Sequence, residues 1–158
     1  MFDTHHRELL GEGLRLILQR HYASALRSFQ KALADASFDG EPTVTPQYLS
    51  HYGAALALAS GKRDEGRRLC ERSIQLEPYE HEHYLNLARI HLASGNRKLA
   101  LASLDQGLVI CPDHPMLVQE RHAMDRRASR IFPSLSRNHP LNRGLGKLLR
   151  FMGFRSRS

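Results

Sequence analysis

The sequence contains no tryptophan and only two cysteines in 158 residues, and no stretch approaches the length of an apolar membrane span. A spanning helix needs about 20 consecutive apolar residues, so we expect none. The phosphate-binding loop, the dinucleotide glycine fingerprint, the nucleophile elbow and the HExxH zinc motif are also missing from the sequence. These absences argue against the main classes of catalytic site. We predict a protein that is not an enzyme and uses no cofactor.

The cysteines and the N-terminal stretch favour a reducing compartment. Cys70 and Cys111 stand at apolar positions of predicted helices, where a free cysteine serves as a small core residue. A disulfide between them is the less favoured alternative. The opening stretch MFDTHHRELLGEG carries acidic residues and no apolar signal-peptide core. We therefore expect a cytoplasmic protein.

A helical pattern with a defined order of residue types runs from His81 to Pro112. Its positions hold, in order, an aromatic residue, a leucine, a small residue, a bulky residue, a glycine, an alanine, a second leucine and a proline. These residues are Tyr84, Leu87, Ala88, His91, Gly95, Ala100, Leu104 and Pro112. This spacing predicts two helices packed back to back, with a small residue where each approaches the other closely.

The same pattern occurs twice more upstream. Gly61–Pro78 aligns with Gly95–Pro112 at a shift of 34 residues. The first copy lies 41 residues before the second, so seven extra residues separate these two copies. The residues of the first copy that match the pattern are Gly13, Tyr22, Ala25, Phe29 and Ala32. The period and the small-residue positions together resemble the tetratricopeptide repeat.

The resemblance implies an all-α fold without strands. It would be a right-handed α-solenoid of three helix-turn-helix repeats, followed by a capping helix and a basic amphipathic tail. The solenoid is predicted over 1–132, with repeats at about 6–39, 47–80 and 81–114 and the capping helix at about 115–130; the linker and tail take 133–158. The SLSRNHPLNRGLGKL stretch resembles the tails of small bacterial repeat proteins, which implies a bacterial source.

In tetratricopeptide proteins the first helices of successive repeats line a concave groove that binds an extended or helical peptide. Carried over by position, the candidate groove residues are Tyr48, His51, Tyr52, Glu82, Leu85, Asn86, Arg89 and Gln119. Alternatively, the two tyrosines close the packing between neighbouring repeats. Only Asn86 matches the lysine and asparagine pattern with which some family members hold a terminal carboxylate, so that activity is not carried over.

Ten histidines raise the question of a metal site. His81 and His83 are two residues apart, so they point away from each other on a helix. His51 and His91 lie on first helices of different predicted repeats and could approach across the groove. No third ligand follows at a spacing that zinc requires, and we predict no metal site.

Positive charge is concentrated at the C-terminal end. Residues 126–158 contain nine basic residues and no acidic residue, whereas residues 1–125 are close to neutral. On a helix, Leu141, Leu145, Leu148, Leu149 and Met152 would share one face. The candidate contacts of this tail with an anionic surface are Arg143, Lys147, Arg150, Arg155 and Arg157. A membrane fits the pattern better than a nucleic acid does, because few aromatic residues in the tail could stack on bases.

Together these features predict a non-enzymatic cytoplasmic adaptor that binds a protein or peptide in the groove, as a monomer or homodimer. A secretion chaperone of the tetratricopeptide type is one alternative, although the net positive charge of this chain differs from the acidic balance of charge associated with that group. Peripheral binding to the inner membrane face through the tail is another.

Liposome flotation separates membrane binding by the tail from packing of its leucines on the solenoid. We expect packing: the full chain does not float, and a variant with Leu145→Asp and Leu148→Asp melts at a lower temperature because two charges enter an apolar contact. Membrane binding would instead show flotation only with anionic lipid, weakened by high salt because each cation contributes about 1 kcal/mol near a negative leaflet. That result, with an unchanged melting temperature for the variant, would overturn the expectation.

Overall fold

The computed structural model of the protein describes residues 2–36 and 45–126. Residues 37–44, which lie between the first two repeats, and the whole predicted tail are outside these ranges. The tail residues concerned include Arg143, Lys147, Arg150, Arg155 and Arg157. The chain divides into two compact units, Met1–Arg121 and His122–Ser158. All contacts described below lie within the first unit.

The described ranges contain seven α-helices and no strand. The helices are α1 (Phe2–Leu18), α2 (Tyr22–Ala36), α3 (Pro46–Ser60), α4 (Arg63–Leu76), α5 (His81–Ala93), α6 (Arg97–Ile110) and α7 (Pro115–Arg126). The prediction of an all-α chain is therefore confirmed over this part of the molecule. None of these helices is both long enough and apolar enough to cross a membrane.

The ends of α3 show why the sequence folds locally as it does. Thr45 precedes the helix in an extended conformation, and its hydroxyl oxygen accepts a hydrogen bond of 3.2 Å from the Tyr48 backbone N–H. Pro46 occupies the first helical turn, where no partner for a backbone N–H is needed. Gly61 follows the helix with φ at 75°, a left-handed conformation that glycine adopts without strain.

The helices pack as three antiparallel pairs, α1 with α2, α3 with α4 and α5 with α6. Neighbouring pairs join where α2 packs on α3, α3 on α5, and α4 on α5. The tightest contact lies between α3 and α4. A Cβ atom added at Gly53 would lie 2.7 Å from the Gly66 carbonyl oxygen, and one added at Gly66 would overlap the Gly53 carbonyl oxygen. These two helices therefore meet backbone to backbone. Gly66 stands 34 residues before Ala100 in the repeat alignment, so it is the small residue predicted for this close approach.

An aromatic cluster ties the first pair to α3. The Phe29 ring meets the Tyr48 ring edge-on at 5.5 Å between centroids, and Tyr48 stacks on Tyr52 at 5.7 Å. The Tyr48 hydroxyl donates a hydrogen bond of 3.1 Å to the Phe29 carbonyl oxygen. Burial raises the pKa of Tyr48 to about 12. Tyr48 is thus a core residue between neighbouring pairs, while Tyr52 covers it and remains half-buried.

Both cysteines are free thiols. Cys70 is fully buried and its thiol donates to the Ser50 carbonyl oxygen at 3.3 Å. Burial raises the pKa of this thiol to about 12, so Cys70 is an unreactive core residue at neutral pH. Cys111 ends α6 and is half-buried.

Gly66→Ala tests the close contact, with Gly11→Ala as the matched control. Gly11 is also helical, but a Cβ atom there meets nothing within 4 Å. We expect Gly66→Ala to lower the free energy of unfolding by about 1–3 kcal/mol through overpacking. Gly11→Ala should raise it by about 0.5–1 kcal/mol, because alanine loses less backbone entropy in a helix. Urea denaturation measures both, and equal effects of the two substitutions would contradict the proposed packing.

Candidate functional site

The structure places all eight predicted groove residues on α3, α5 and α7. Tyr48, His51 and Tyr52 lie on α3, whereas Glu82, Leu85, Asn86 and Arg89 lie on α5 and Gln119 lies on α7. Five of them are buried (Tyr48, His51, Leu85, Asn86 and Arg89), Tyr52 and Glu82 are half-buried, and Gln119 is exposed. We call the surface formed by His51, Glu82, Arg89 and Glu120 the inner face.

A shared carboxylate links the inner face to the end of α1. The Arg89 Nε atom donates to Glu120 Oε1 at 3.2 Å, and an Nη atom of Arg20 donates to the same oxygen at 2.5 Å. Arg89 and Glu120 are both buried, at 5% and 8% exposure, while the Arg20 side chain is half exposed. Two guanidinium groups thus surround one carboxylate, which leaves this cluster with a net positive charge.

Arg20 has a backbone conformation that is unusual for a residue other than glycine. It follows α1 with φ at 61°, the only non-glycine residue with positive φ in the described ranges. Its N–H donates to the Ile17 carbonyl oxygen at 3.0 Å, and the next N–H, of His21, donates to Leu16 at 2.8 Å. These bonds close the C-terminus of α1 in an arrangement in which glycine is the usual residue at the position with positive φ.

One donor of the cluster has no acceptor. The Nη2 atom of Arg89 is buried and has no hydrogen-bond partner within the part of the chain that the structure describes. Leaving a buried charged donor unpaired is costly. Because this atom has almost no accessible surface, a partner could reach the cluster only at the half-exposed Arg20 side chain.

His51 and Glu82 form a second polar contact beside this cluster. The His51 Nδ1–H donates to the Gln47 carbonyl oxygen at 2.8 Å, and His51 Nε2 lies 3.4 Å from Glu82 Oε2. Since a carbonyl only accepts, the proton is assigned to Nδ1. Burial lowers the pKa of His51, and the Gln47 carbonyl and the Glu82 carboxylate only partly oppose this. The imidazole is therefore neutral at pH 7.

Asn86 is engaged within the protein. Its side-chain Nδ2 donates to the Ser50 hydroxyl oxygen at 3.1 Å, and the residue is 1% exposed. This bond connects α5 with α3. The Asn86 amide is consequently part of the packing, as is the buried side chain of Leu85.

Two members of the cluster, Arg20 and Glu120, are absent from the sequence-based set. A sequence signal for Arg20 exists. In the repeat alignment it stands where the other two copies have Gly61 and Gly95, which both have positive φ in the structure. An arginine at a position that favours glycine indicates a role for its side chain. Glu120 has no comparable signal, because its partners lie far away in the sequence.

The histidines form no metal site in the described ranges, where no group of three or more ligating side chains comes together. The His81 and His114 rings lie 4.4 Å apart between centroids. His114 Nδ1 accepts the Leu117 backbone N–H at 3.4 Å, so this ring caps the start of α7.

Solved structures with the same arrangement of helices come from several proteins. The Sgt2 TPR domain from Aspergillus fumigatus aligns with a TM-score of 0.57 at 18% identity, covering 88% of this chain and 93% of that one. The first TPR of Spaghetti (RPAP3), bound to the HSP90 peptide SRMEEVD, gives 0.56 at 15% identity, with 78% and 93% covered. The second TPR domain of human RPAP3, in complex with the HSP70 peptide SGPTIEEVD, gives 0.55 at 13% identity, with 79% and 98% covered.

The chain has a tetratricopeptide-repeat fold. No family model matches the sequence, and the search of curated proteins gave no match either. In this fold α1, α3 and α5 are the first helices of their pairs, and the inner face lies on α3, α5 and the following helix α7.

Glu120→Gln tests the shared carboxylate, with Glu65→Gln as its control. The substitution leaves the buried Arg89 guanidinium without a counter-charge, so we expect the free energy of unfolding to fall by about 3–5 kcal/mol. Glu65 forms an exposed pair with Lys62 at 3.7 Å, and its substitution should change stability by less than about 0.5 kcal/mol. Urea denaturation measures both. A loss below about 1 kcal/mol for Glu120→Gln would contradict the buried cluster.

Proposed function

We propose that this chain is a non-enzymatic protein-interaction adaptor whose inner face binds a peptide segment of a partner protein. The observation that carries the proposal is the Arg89 guanidinium, which is buried and shares one carboxylate with Arg20 while its own Nη2 lacks an acceptor. The exposed half of the Arg20 side chain is the part of this cluster that an oxygen ligand from outside can reach.

The charge of the cluster favours an acidic peptide. A partner carboxylate would add the second negative charge that two arginines can balance, and a guanidinium binds a carboxylate through two parallel hydrogen bonds. Arg20 is the accessible member, since half of its side chain is exposed. The half-buried ring of Tyr52 offers an aromatic contact of the kind enriched where binding energy concentrates.

The similar structures agree with this class of ligand. The two RPAP3 domains are bound to SRMEEVD and SGPTIEEVD, both acidic peptides. In this chain Asn86 is bonded to Ser50 and is not available to hold a terminal carboxylate. We therefore propose recognition of an acidic side chain within a peptide, with three repeats forming the body and a cytoplasmic location.

Two alternatives belong to the same proposal. A secretion chaperone would use the same inner face to hold an exported partner. Contact with an anionic membrane would use the tail residues Arg143, Lys147, Arg150, Arg155 and Arg157, whose charge is the sequence feature that favours it. The bacterial source and the choice between monomer and homodimer remain predictions from the sequence.

Selection from a phage-displayed random-peptide library tests the proposal. We expect the enriched peptides to carry at least one Asp or Glu. The affinity of a selected peptide, measured by fluorescence anisotropy, should fall about tenfold with Arg20→Gln, because one charge-assisted hydrogen bond contributes about 1.5–3 kcal/mol. High salt should weaken binding as well.

The matched control is Arg68→Gln. Arg68 is an exposed cation on α4, a second helix of its pair, and its substitution should leave the affinity unchanged. Melting temperatures of both variants confirm that they are folded. If the two substitutions weaken binding equally, or if the selected peptides lack acidic residues, the assignment to the inner face is wrong.

A further inference from the structure

Three carboxylates at the start of α5 have no lysine or arginine partner in the part of the chain that the structure describes. Each has a histidine nitrogen as its side-chain neighbour, and the pairs are Glu82 with His51 at 3.4 Å, Glu80 with His81 at 3.2 Å and Glu77 with His83 at 3.5 Å. Six carboxylates elsewhere do pair with a lysine or an arginine, and these are Glu12, Asp64, Glu65, Glu71, Asp105 and Glu120. Negative charge is thus left without a cation at the start of α5.

Local structure accounts for two of the three carboxylates. Glu80 caps α5, because its carboxylate accepts the Glu82 backbone N–H at 3.3 Å, and negative charge is stabilised at a helix N-terminus. Half of the Glu77 side chain is exposed, so solvent can hydrate its carboxylate. The contact of Glu82 with His51 needs a separate explanation.

His51 and Glu82 present two hydrogen-bond acceptors to each other. The His51 Nδ1–H donates to the Gln47 carbonyl oxygen, so the neutral ring has a lone pair at Nε2. Burial lowers the pKa of this imidazole, which is why the ring is neutral at pH 7. Its lone pair lies 3.4 Å from Glu82 Oε2, which also only accepts. Since His51 is 4% exposed, this contact is unfavourable until a donor enters it.

A donor from outside can reach this contact through Glu82. The Glu82 side chain is 27% exposed, so its carboxylate is accessible to a ligand although the His51 ring is not. A positively charged donor fits best, because it supplies the missing hydrogen bond and the missing charge together. Lysine and arginine side chains carry such donors and no acceptor. A basic side chain is therefore the chemistry that completes this contact.

We propose that the peptide bound by the inner face carries a lysine or arginine whose cation binds Glu82 beside His51. This rests on the proposed function, in which an acidic residue of the same peptide binds Arg20 next to Arg89. Glu82 and Arg89 are seven residues apart on α5, which is about 10 Å along the helix axis. An extended peptide covers that distance in about three residues. The peptide therefore has its acidic and basic residues about three positions apart.

The composition of peptides selected from a phage-displayed random library tests the pairing of charges. We expect the enriched sequences to combine one acidic and one basic residue about three positions apart. Acidic peptides without such a basic residue would overturn the contact at Glu82 and leave the proposed function intact. Basic residues without acidic ones would overturn the proposed function and support the contact at Glu82, and enrichment of neither would overturn both.

A double-mutant cycle locates the basic residue. Glu82→Gln in the full chain, and norleucine in place of the basic residue in a selected fluorescein-labelled peptide, should each weaken binding about tenfold. Together they should weaken binding no more than either change alone, because both remove the same contact. Fluorescence anisotropy at pH 7 measures the four affinities. Losses that simply add would contradict a contact between Glu82 and the basic residue.

The melting temperature of Glu82→Gln separates binding from a structural role. The glutamine amide can donate to His51 Nε2, so the free variant should melt at the same temperature as the unmodified chain or at a higher one. A lower melting temperature would show that His51 and Glu82 form a complete ion pair, which would overturn the proposal.

Glu65→Gln is the matched control for the affinity measurements. Glu65 is an exposed carboxylate on α4 that is already paired with Lys62, so its substitution should leave the affinity for the same peptide unchanged. Equal losses of affinity for Glu65→Gln and Glu82→Gln would show a general effect of charge and would contradict the contact at Glu82.

Discussion

The contact of α3 with α4 at Gly53 and Gly66 sets the geometry on which the neighbouring helices depend. Each glycine leaves room for the carbonyl oxygen of the other, so the two helices meet backbone to backbone. Cys70 is then fully buried against the Ser50 carbonyl oxygen. Since α2 and α5 both pack on α3, and α5 also packs on α4, a wider spacing of this pair would displace the surfaces on both sides of it.

Buried polar groups distinguish the inner face from an ordinary helix interface. Arg89, Glu120 and His51 are each at least nine-tenths buried, yet the cluster has two guanidinium groups for one carboxylate. Burying charge stabilises a protein only when its partners are complete. An incompletely paired cluster is therefore better explained by binding than by stability, and this is why the inner face, and not the larger apolar core, carries the functional proposal.

The charges of the inner face are divided between two neighbouring contacts. Glu120 is shared by Arg89 and Arg20, which leaves that contact with a net positive charge. The Glu82 carboxylate lies beside His51, 3.4 Å from its Nε2 atom, and carries the opposite sign. An acidic ligand therefore suits the arginine contact and not the face as a whole.

The repeat pattern was enough to predict the helices and their pairing. The spacing of apolar and small residues is a local property, and helices over 63–76, 81–93 and 97–110 follow directly from it. The small residue at position 66 likewise predicted the close contact. Within the site, the sequence also placed His51, Glu82 and Arg89 on the first helices, where the structure has them.

What the tertiary structure alone decided is which of these side chains meet and which are accessible. Glu120 joins Arg89 and Arg20 across 31 and 100 residues of sequence, and a periodic pattern carries no information on such distances. Tyr48 lies in the core because Phe29 of the preceding pair packs against it. The sequence determined the helices because their periods are local, whereas the site depends on how three pairs are rotated against one another.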